Sequence, residues 1–334
     1  MNVASLSPRS KLLLCLAIVY LIWGSSYLAT RIGVHELPPF LFGGVRFIIS
    51  GMLLYAVARW LGQARAPLSG NEWRHLAVVG FCTVLLSNGF NVWAMQWVPS
   101  NQSALLNASS AFWIALLGTL GRRAHPITLG VGTGLTIGFA GTALVLWPGA
   151  GAATVGSAMG AASAAVTVAT SSLPPAVPPP SPYGALIPEL SILAGCFGWA
   201  LGTIYLRNVR TNLDLLTFTA LQMLCGGVML TGVAIAVGEL GRWRWSGPGL
   251  VAMAYMTLFS SCIAYVAYGW LSKHATPAQV GTYGFVNPAI ATLLGWLVLG
   301  ETLSTTQLAG MAVILLGVLL VNGTRAQSRS SSRE

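Results

Sequence analysis

Apolar residues follow one another along this chain in long runs that are separated by short polar stretches. Each run is close to the roughly 20 residues that an α-helix needs to cross the hydrocarbon core of a bilayer. We therefore predict an all-α, polytopic membrane protein with ten transmembrane helices. The predicted spans are residues 12–32, 39–61, 74–97, 101–120, 128–147, 186–206, 214–237, 248–271, 277–299 and 305–322.

Local sequence signals support several of these helix starts. Ser69–Glu72, Thr276–Gln279 and Ser304–Gln307 have the pattern of a capping box, in which two side chains satisfy backbone N–H groups at the start of a helix. Pro248 and Pro277 stand near the first position of their helices, where a missing N–H has no cost.

The composition excludes a water-soluble globule. Hydrophobic residues make up 55% of the chain and charged residues 7%, whereas soluble domains carry roughly 25% charged residues. The five cysteines all lie within apolar runs and form no C-x-x-C pair. We therefore expect no disulfide framework, no metal site and no cofactor.

The basic residues predict the orientation in the membrane. Lys and Arg number 17 against 7 Asp and Glu, and cytoplasmic loops of membrane proteins collect such residues. With the predicted spans, 13 of the basic residues lie in loops on the side of the N-terminus, and three (Arg31, Arg242 and Arg244) lie in the opposite loops. We predict an inner-membrane protein with both termini in the cytoplasm, whose partners are the bilayer and a small-molecule substrate rather than nucleic acid.

The two halves of the chain are related by an internal repeat. A shift of 176 residues aligns Trp23 with Trp199 and Gly51 with Gly227, although the third and eighth spans match poorly. Because each half has five spans, an odd number, the second half must be inverted in the membrane. Two inverted five-helix repeats are typical of secondary transporters, whose substrate site lies at the midplane between the halves.

This repeat divides the chain into five parts. They are a cytoplasmic N-terminus (1–11), a first repeat (12–148), an Ala/Gly/Pro-rich linker (149–185), a second repeat (186–322) and a disordered cytoplasmic tail (323–334). Residues 154–172 are apolar enough to suggest an eleventh span, but an extra span would reverse the orientation of the second half. We favour an extracytoplasmic linker.

Several short motifs, in this order and spacing, resemble the drug/metabolite transporter superfamily, EamA-type. They are Trp23-Gly24-Ser25-Ser26, Arg46, Asn287-Pro288, Leu299-Gly300-Glu301 and the pair Gly310 and Gly317. The resemblance covers roughly residues 12–148 and 186–322. It implies the export or exchange of small metabolites, often amino acids, by alternating access, with efflux of drugs or toxic compounds as the alternative.

The first repeat departs from the pattern of that superfamily. In the fourth and ninth spans the shift between the halves is 177 residues, so Ala111 aligns with Pro288, and Arg122-Arg123-Ala124 replaces the Leu-Gly-Glu pattern. We therefore expect the first half to hinge differently and transfer no roles to the fourth span.

Trp23 and Trp199 lie near the middle of their spans, away from the interfaces where Trp usually gathers. They either line a central cavity or pack tightly between helices. Arg46 is seven residues beyond Pro39 and so roughly 10 Å deep. It either anchors an anionic group of the substrate, or snorkels or bonds to helix carbonyls.

Polar side chains within the spans have hydrogen-bonding capacity that hydrocarbon cannot satisfy. They either line a cavity or bond between helices, and Asn287-Pro288 either breaks or kinks the ninth helix. The candidate substrate-binding residues are Trp23, Ser26, Arg46, Asn88, Asn91, Asn107, Trp199, Tyr265, Tyr268, Tyr283 and Asn287.

The acidic residues argue against an enzyme and restrict proton coupling. The seven Asp and Glu residues do not cluster, no phosphate-binding loop occurs, and no acid occupies the centre of a span. The four histidines fall in loops, so proton antiport would depend on Glu189, and facilitated transport or exchange is an equal alternative. We interpret Glu301 as a boundary group that orients its loop.

Small residues form one face of the fifth span. Gly130, Gly134 and Gly138 recur every fourth residue, which allows another helix to approach closely. The face packs within one subunit or forms the seam of a homodimer.

Overall fold

The computed structural model describes residues 7–63, 68–118, 129–145, 180–184, 186–275 and 283–330. The first half contains α1 (Pro8–Glu36), α2 (Pro39–Trp60), α3 (Gly70–Gly80), a π-helical segment (Phe81–Asn88), α4 (Gly89–Ala94), α5 (Ser100–Ala108), α6 (Ser110–Leu117) and α7 (Leu129–Val145). The second half contains α8 (Leu186–Asn208), α9 (Leu215–Ala236), a 3₁₀ turn (Glu239–Arg242), α10 (Gly247–Tyr255), a π-helical segment (Met256–Ala264), α11 (Tyr265–His274), α12 (Tyr283–Leu294), a π-helical segment (Gly295–Leu299) and α13 (Thr305–Ser330).

The prediction of an all-α, multi-pass membrane protein is confirmed. Among the described residues, six helices are long and apolar enough to cross a bilayer: Pro8–Glu36, Pro39–Trp60, Gly70–Ala94, Leu186–Asn208, Leu215–Ala236 and Gly247–Leu271. Helical segments also lie within the other four predicted spans, as α5 with α6, α7, α12 and α13.

Two of the three predicted capping boxes are present. At Ser69–Glu72, the Ser69 side chain accepts from the Glu72 N–H and the Glu72 side chain accepts from the Ser69 N–H. At Ser304–Gln307, the Gln307 N–H donates to Ser304 Oγ and the Ser304 N–H donates to Gln307 Oε1. Pro248 lies in the first turn of α10, whereas residues 276–279 lie outside the described residues.

Arg31 was predicted to lie in a loop, and this prediction is wrong. Helix α1 continues to Glu36, so Arg31 lies within it and is 1% exposed. Its Nη1 donates to the main-chain carbonyls of Met95 and Gln96 at 2.8 and 3.0 Å. These carbonyls follow the end of α4, where a helix leaves acceptors without donors and favours a cation.

Two further predictions on local structure are wrong. His35, His75 and His274 lie in helices rather than in loops, and His125 lies outside the described residues. Helix α13 continues to Ser330, so residues 323–330, predicted to be disordered, are helical. That stretch has no proline to end the helix. Residues 331–334 and most of the linker, including 154–172, lie outside the described part of the chain.

Helices α2 and α9 approach each other through glycine. A Cβ atom added at Gly51 would lie 2.8 Å from the carbonyl oxygen of Ala220, and one at Gly227 would lie 3.1 Å from that of Gly44. Residues without a side chain let two backbones come this close, which stabilises helix pairs in a membrane.

Helices α7 and α13 pack in the same way, on the face that Gly130, Gly134 and Gly138 define. A Cβ added at Gly317 of α13 would lie 2.6 Å from the Gly138 nitrogen and 2.7 Å from the Gly134 carbonyl oxygen. Packing within one subunit therefore accounts for Gly134 and Gly138. The homodimer seam through this face stays a prediction.

Candidate functional site

A cavity of about 120 Å³, lined by polar and aromatic side chains, lies between the helices of the two halves. Its lining comes from α1, α2, α4, α5, α6, α8, α11, α12 and two π-helical segments. The lining residues are Trp23, Ser26, Tyr27, Thr30, Arg46, Ser87, Asn88, Asn91, Val92, Asn107, Ser110, Trp199, Met256, Ser260, Tyr265, Tyr283 and Asn287.

The cavity lies in the half of the bundle that is nearer to the connection between α1 and α2. On α1 (Pro8–Glu36), its lining begins at Trp23, near the helix centre, and continues to Thr30. On α2, Arg46 stands seven residues after the first residue, Pro39. With the predicted orientation, this would be the extracytoplasmic half.

Arg46 places a cation in the cavity wall. It is 2% exposed, its Nη2 donates to Asn88 Oδ1 at 3.1 Å, and its guanidinium carbon lies 4.3 Å from the centre of the Phe47 ring. The Asn88 Nδ2 donates to the Thr83 carbonyl at 2.8 Å, which turns the amide oxygen of Asn88 towards the guanidinium. Nε and Nη1 of Arg46 have no hydrogen-bond partner among the described residues.

Trp23 lies at the centre of an aromatic cluster. The centre of its ring system lies 5.0–5.9 Å from the ring centres of Trp199, Tyr265, Tyr268 and Tyr283. Most of these pairs meet edge to face, which is a favourable geometry for aromatic rings. Trp23 and Trp199 therefore both line the cavity and pack against neighbouring helices. Cavity lining and helix packing, the two alternatives from the sequence, are not exclusive.

One polar group of α1 bonds to the eighth predicted span, and another bonds within α1. The Trp23 indole N–H donates to the Ser260 carbonyl at 3.4 Å, and Ser26 Oγ donates to the Trp23 carbonyl at 2.7 Å. Ser260 belongs to the π-helical segment Met256–Ala264. Such segments change the pairing of backbone groups and are frequent at functional sites.

The fourth predicted span is interrupted where it meets the cavity. Helix α5 ends at Ala108 and α6 starts at Ser110. Just before this break, Asn107 Nδ2 donates to the Ser103 carbonyl at 2.9 Å, and Ser103 Oγ donates to Asn91 Oδ1 at 3.2 Å. These bonds hold two of the candidate amides in the cavity wall.

Asn287 carries an unsatisfied acceptor. Its side chain is 4% exposed, and its Oδ1 has no hydrogen-bond partner among the described residues. Pro288 follows it inside the continuous helix α12, so the helix is not broken there. Because proline has no N–H, the Gly284 carbonyl lacks its helical donor.

Two acidic residues lie outside the cavity lining. Glu301 accepts from the N–H groups of Ser100 and Asn101 at 2.8 and 3.1 Å and from Ser100 Oγ at 2.6 Å. It therefore caps the start of α5, and its burial raises its pKa. Gln102 Nε2 donates to the Glu189 carboxylate.

The structure brings ten of the eleven candidate residues to one cavity. Tyr268 does not line it, but packs behind it on the rings of Trp23, Trp199 and Tyr283. A role in substrate binding stays a prediction for all eleven. Ser110, a polar residue of the fourth predicted span, also lines the cavity, and the sequence analysis missed the lining residues Tyr27, Thr30, Ser87, Val92, Met256 and Ser260. Helical spacing could have found Tyr27 and Thr30, which follow Trp23 at i+4 and i+7.

Comparison with a family model gives a match over both halves of the chain. The model of the EamA-like transporter family matches residues 10–147 and 186–323. A solved crystal structure has a TM-score of 0.60 with 19% sequence identity, covering 94% of this chain and 97% of that chain. This likeness concerns the fold alone.

Curated relatives extend over most of the chain. "Uncharacterized inner membrane transporter YedA" of Escherichia coli (strain K12) is 30% identical over 305 residues, which are 91% of this chain and 88% of the relative. "Uncharacterized transporter YvbV" of Bacillus subtilis (strain 168) is 23% identical over 330 residues, covering 97% and 95%. "WAT1-related protein At3g02690, chloroplastic" of Arabidopsis thaliana is 24% identical over 309 residues, covering 91% and 67%.

Proposed function

Since the chain belongs to the EamA-like transporter family, we propose that it is a secondary transporter which exports or exchanges a small metabolite, an amino acid or a related compound. It works by alternating access across the inner membrane. The cavity is the substrate site, and the protein is a carrier rather than an enzyme.

The contact between Trp23 and Trp199 at this cavity carries the proposal. The two residues occupy equivalent positions of the two halves, and their ring centres lie 5.9 Å apart. A carrier built from two inverted repeats has its site between the repeats, at the middle of the membrane. The inner end of the cavity supports this, since Trp23 is central in α1 and Trp199 is central in α8, and the rest of the lining extends from there towards the connection between α1 and α2.

The π-helical segments support the ten-span, inverted-repeat organisation. Shifted by 176 residues, Phe81–Asn88 falls on residues 257–264, and Met256–Ala264 is one of the two π-helical segments described in the second half. The third and eighth spans match poorly in sequence, yet they share this rare element in the same register.

The glycine contacts support the same organisation. In a pair related by a twofold axis, a contact between residue i and residue j is repeated between the equivalent residues. The contact of Gly51 with Ala220 is repeated by that of Gly227 with Gly44 under the shift of 176. The contact of Gly141 in α7 with Gly310 in α13 is likewise repeated by that of Gly317 with Gly134.

Efflux from proteoliposomes tests the proposal. Vesicles that contain the purified protein are loaded with a panel of labelled amino acids, with and without an imposed pH gradient. Saturable movement of at least one compound above protein-free vesicles supports a carrier, and the effect of the gradient separates proton coupling from facilitation. If folded protein moves neither these compounds nor a panel of organic acids and toxic cations, the proposal is wrong.

A further inference from the structure

The charge of the cavity is unbalanced. Arg46 is its one charged lining residue within the described part of the chain, and the described lining includes no Asp or Glu. A guanidinium stays protonated in proteins, and an unpaired cation that is 98% buried is costly.

The guanidinium also has spare hydrogen-bonding capacity. Only Nη2 has a hydrogen-bond partner among the described residues, the amide oxygen of Asn88, while Nε and Nη1 have none. A guanidinium presents five donors in a planar fork that matches a carboxylate. The missing partner is therefore an anion with paired oxygens.

The rest of the lining offers little to a second, positive charge. The described acceptors are neutral, such as the unsatisfied Oδ1 of Asn287, and the faces of Trp23 and Trp199. An ammonium group loses its hydration on entry, and neutral amides and rings replace it less well than a carboxylate does. A zwitterion would leave the site with the unbalanced charge that it has when empty.

We propose that the substrate is a small organic monoanion, a carboxylate on an apolar or aromatic body, and that Arg46 selects it over a zwitterion of the same shape. This rests on the proposed carrier function and, of the two substrate classes named there, favours the related compound without an ammonium group over the zwitterionic amino acid. The carboxylate pairs with Arg46, and the body lies against the aromatic cluster around Trp23. The cavity of about 120 Å³ is close to the roughly 150 Å³ that holds a benzene ring, which limits the body of the substrate to about one ring.

Three compounds with the same phenyl body test this preference for a monoanion in the unaltered protein. They are 3-phenylpropionate (carboxylate only), phenylalanine (zwitterion) and phenethylamine (ammonium only). Affinity is measured as ligand-dependent thermal stabilisation in detergent, and transport as competition in proteoliposomes. We expect 3-phenylpropionate to bind about tenfold or more tightly than phenylalanine, and phenethylamine to bind weakest.

Two variants test whether Arg46 is the cause. Arg46→Gln removes the charge and lowers the affinity for 3-phenylpropionate about tenfold or more. It does not lower the affinity for phenethylamine. Asn88→Asp places a carboxylate beside Nη2 and gives Arg46 an internal counterion, which lowers affinity for 3-phenylpropionate by a similar factor. Asn88→Ala is the matched comparison: it removes the amide bond without adding charge, so the affinities for all three compounds change but their order is kept.

The outcomes separate this inference from the proposed function. Equal or tighter binding of phenylalanine in the unaltered protein overturns the monoanion while leaving the carrier intact. If Arg46 serves only to bond Asn88, Asn88→Asp strengthens that bond and leaves ligand affinity unchanged, which also overturns the inference. Binding of none of the three compounds overturns it too, and transport of the amino-acid panel then decides the proposed function by itself.

Discussion

The ring systems of Trp23 and Trp199 meet almost perpendicularly, with an interplanar angle of 85° and their centres 5.9 Å apart. The two residues are equivalent in the alignment of the two halves. Equivalent residues of a twofold arrangement contact each other only near its axis. Under the proposed inverted-repeat organisation, the contact would therefore mark the line along which the two halves meet, beside the cavity.

Replacing the two tryptophans separates transport from folding. Trp23 is 8% exposed and has four aromatic neighbours, so Trp23→Ala is expected to destabilise the protein by about 3–5 kcal/mol. Trp199 is only partly buried, so Trp199→Ala should lower transport more than it lowers the amount of folded protein. Transport is measured in proteoliposomes and normalised to the monodisperse fraction from size-exclusion chromatography. If both quantities fall together in Trp199→Ala, tight helix packing is its main role.

The close approach of α7 and α13 predicts the effect of a single methyl group. In Gly317→Ala the new Cβ would meet the backbone of Gly134 and Gly138 at 2.7 and 2.6 Å. The helices must move apart, and we expect a loss of about 1–3 kcal/mol, seen as a lower unfolding temperature in detergent.

Gly232→Ala is the matched control, because a Cβ there meets nothing within 4 Å. It lies in α9, where replacing glycine by alanine favours the helix by up to about 1 kcal/mol. An unchanged unfolding temperature in Gly317→Ala would contradict the packing of α7 on α13.

The cap at the start of α5 predicts a loss of stability without a change in the cavity lining. Glu301→Ala leaves the N–H groups of Ser100 and Asn101 without their acceptor, which should cost about 2 kcal/mol. Because burial raises the pKa of Glu301, the neutral Glu301→Gln keeps an acceptor at little cost and should lose less. Thermal unfolding in detergent measures both.

The exposed capping box of α3 provides the comparison for Glu301. Glu72→Ala removes a carboxylate that caps Ser69 at the surface, where water replaces it, so its loss should stay below about 1 kcal/mol. Equal losses in Glu72→Ala and Glu301→Ala would show that burial of the cap does not increase its contribution to stability.

Composition and hydropathy were enough to predict the fold class, because a bilayer imposes helices on apolar runs of this length. Local rules also predicted the capping boxes at Ser69 and Ser304. Polarity within the spans predicted most of the cavity lining, since a polar group in a span must face protein or water.

The errors and omissions concern features whose structure depends on contacts between distant parts of the chain. Arg31 looked like a loop residue because a charge usually ends a span, and only the carbonyls of Met95 and Gln96 explain its burial. The break at Ser109 had no proline to signal it, and Cys196 Sγ lies 3.6 Å from the Leu106 carbonyl just before the break. The π-helical segments leave no pattern in hydropathy, so their matched register was not predictable.

The orientation of the chain in the membrane gives a last prediction. Thirteen basic residues fall on the side of the N-terminus by the sequence count, against Arg31, Arg242 and Arg244 on the other. Because Arg31 lies within α1 and bonds to carbonyls, it no longer counts as a loop charge, and the asymmetry becomes larger. Both termini should therefore be cytoplasmic. A green fluorescent protein fused after Glu334 should fluoresce and an alkaline phosphatase fused there should be inactive, whereas phosphatase inserted after Arg244 should be active. The opposite pattern at both positions would invert the topology and place the cavity in the cytoplasmic half, and activity at both positions would mean an even number of spans between them.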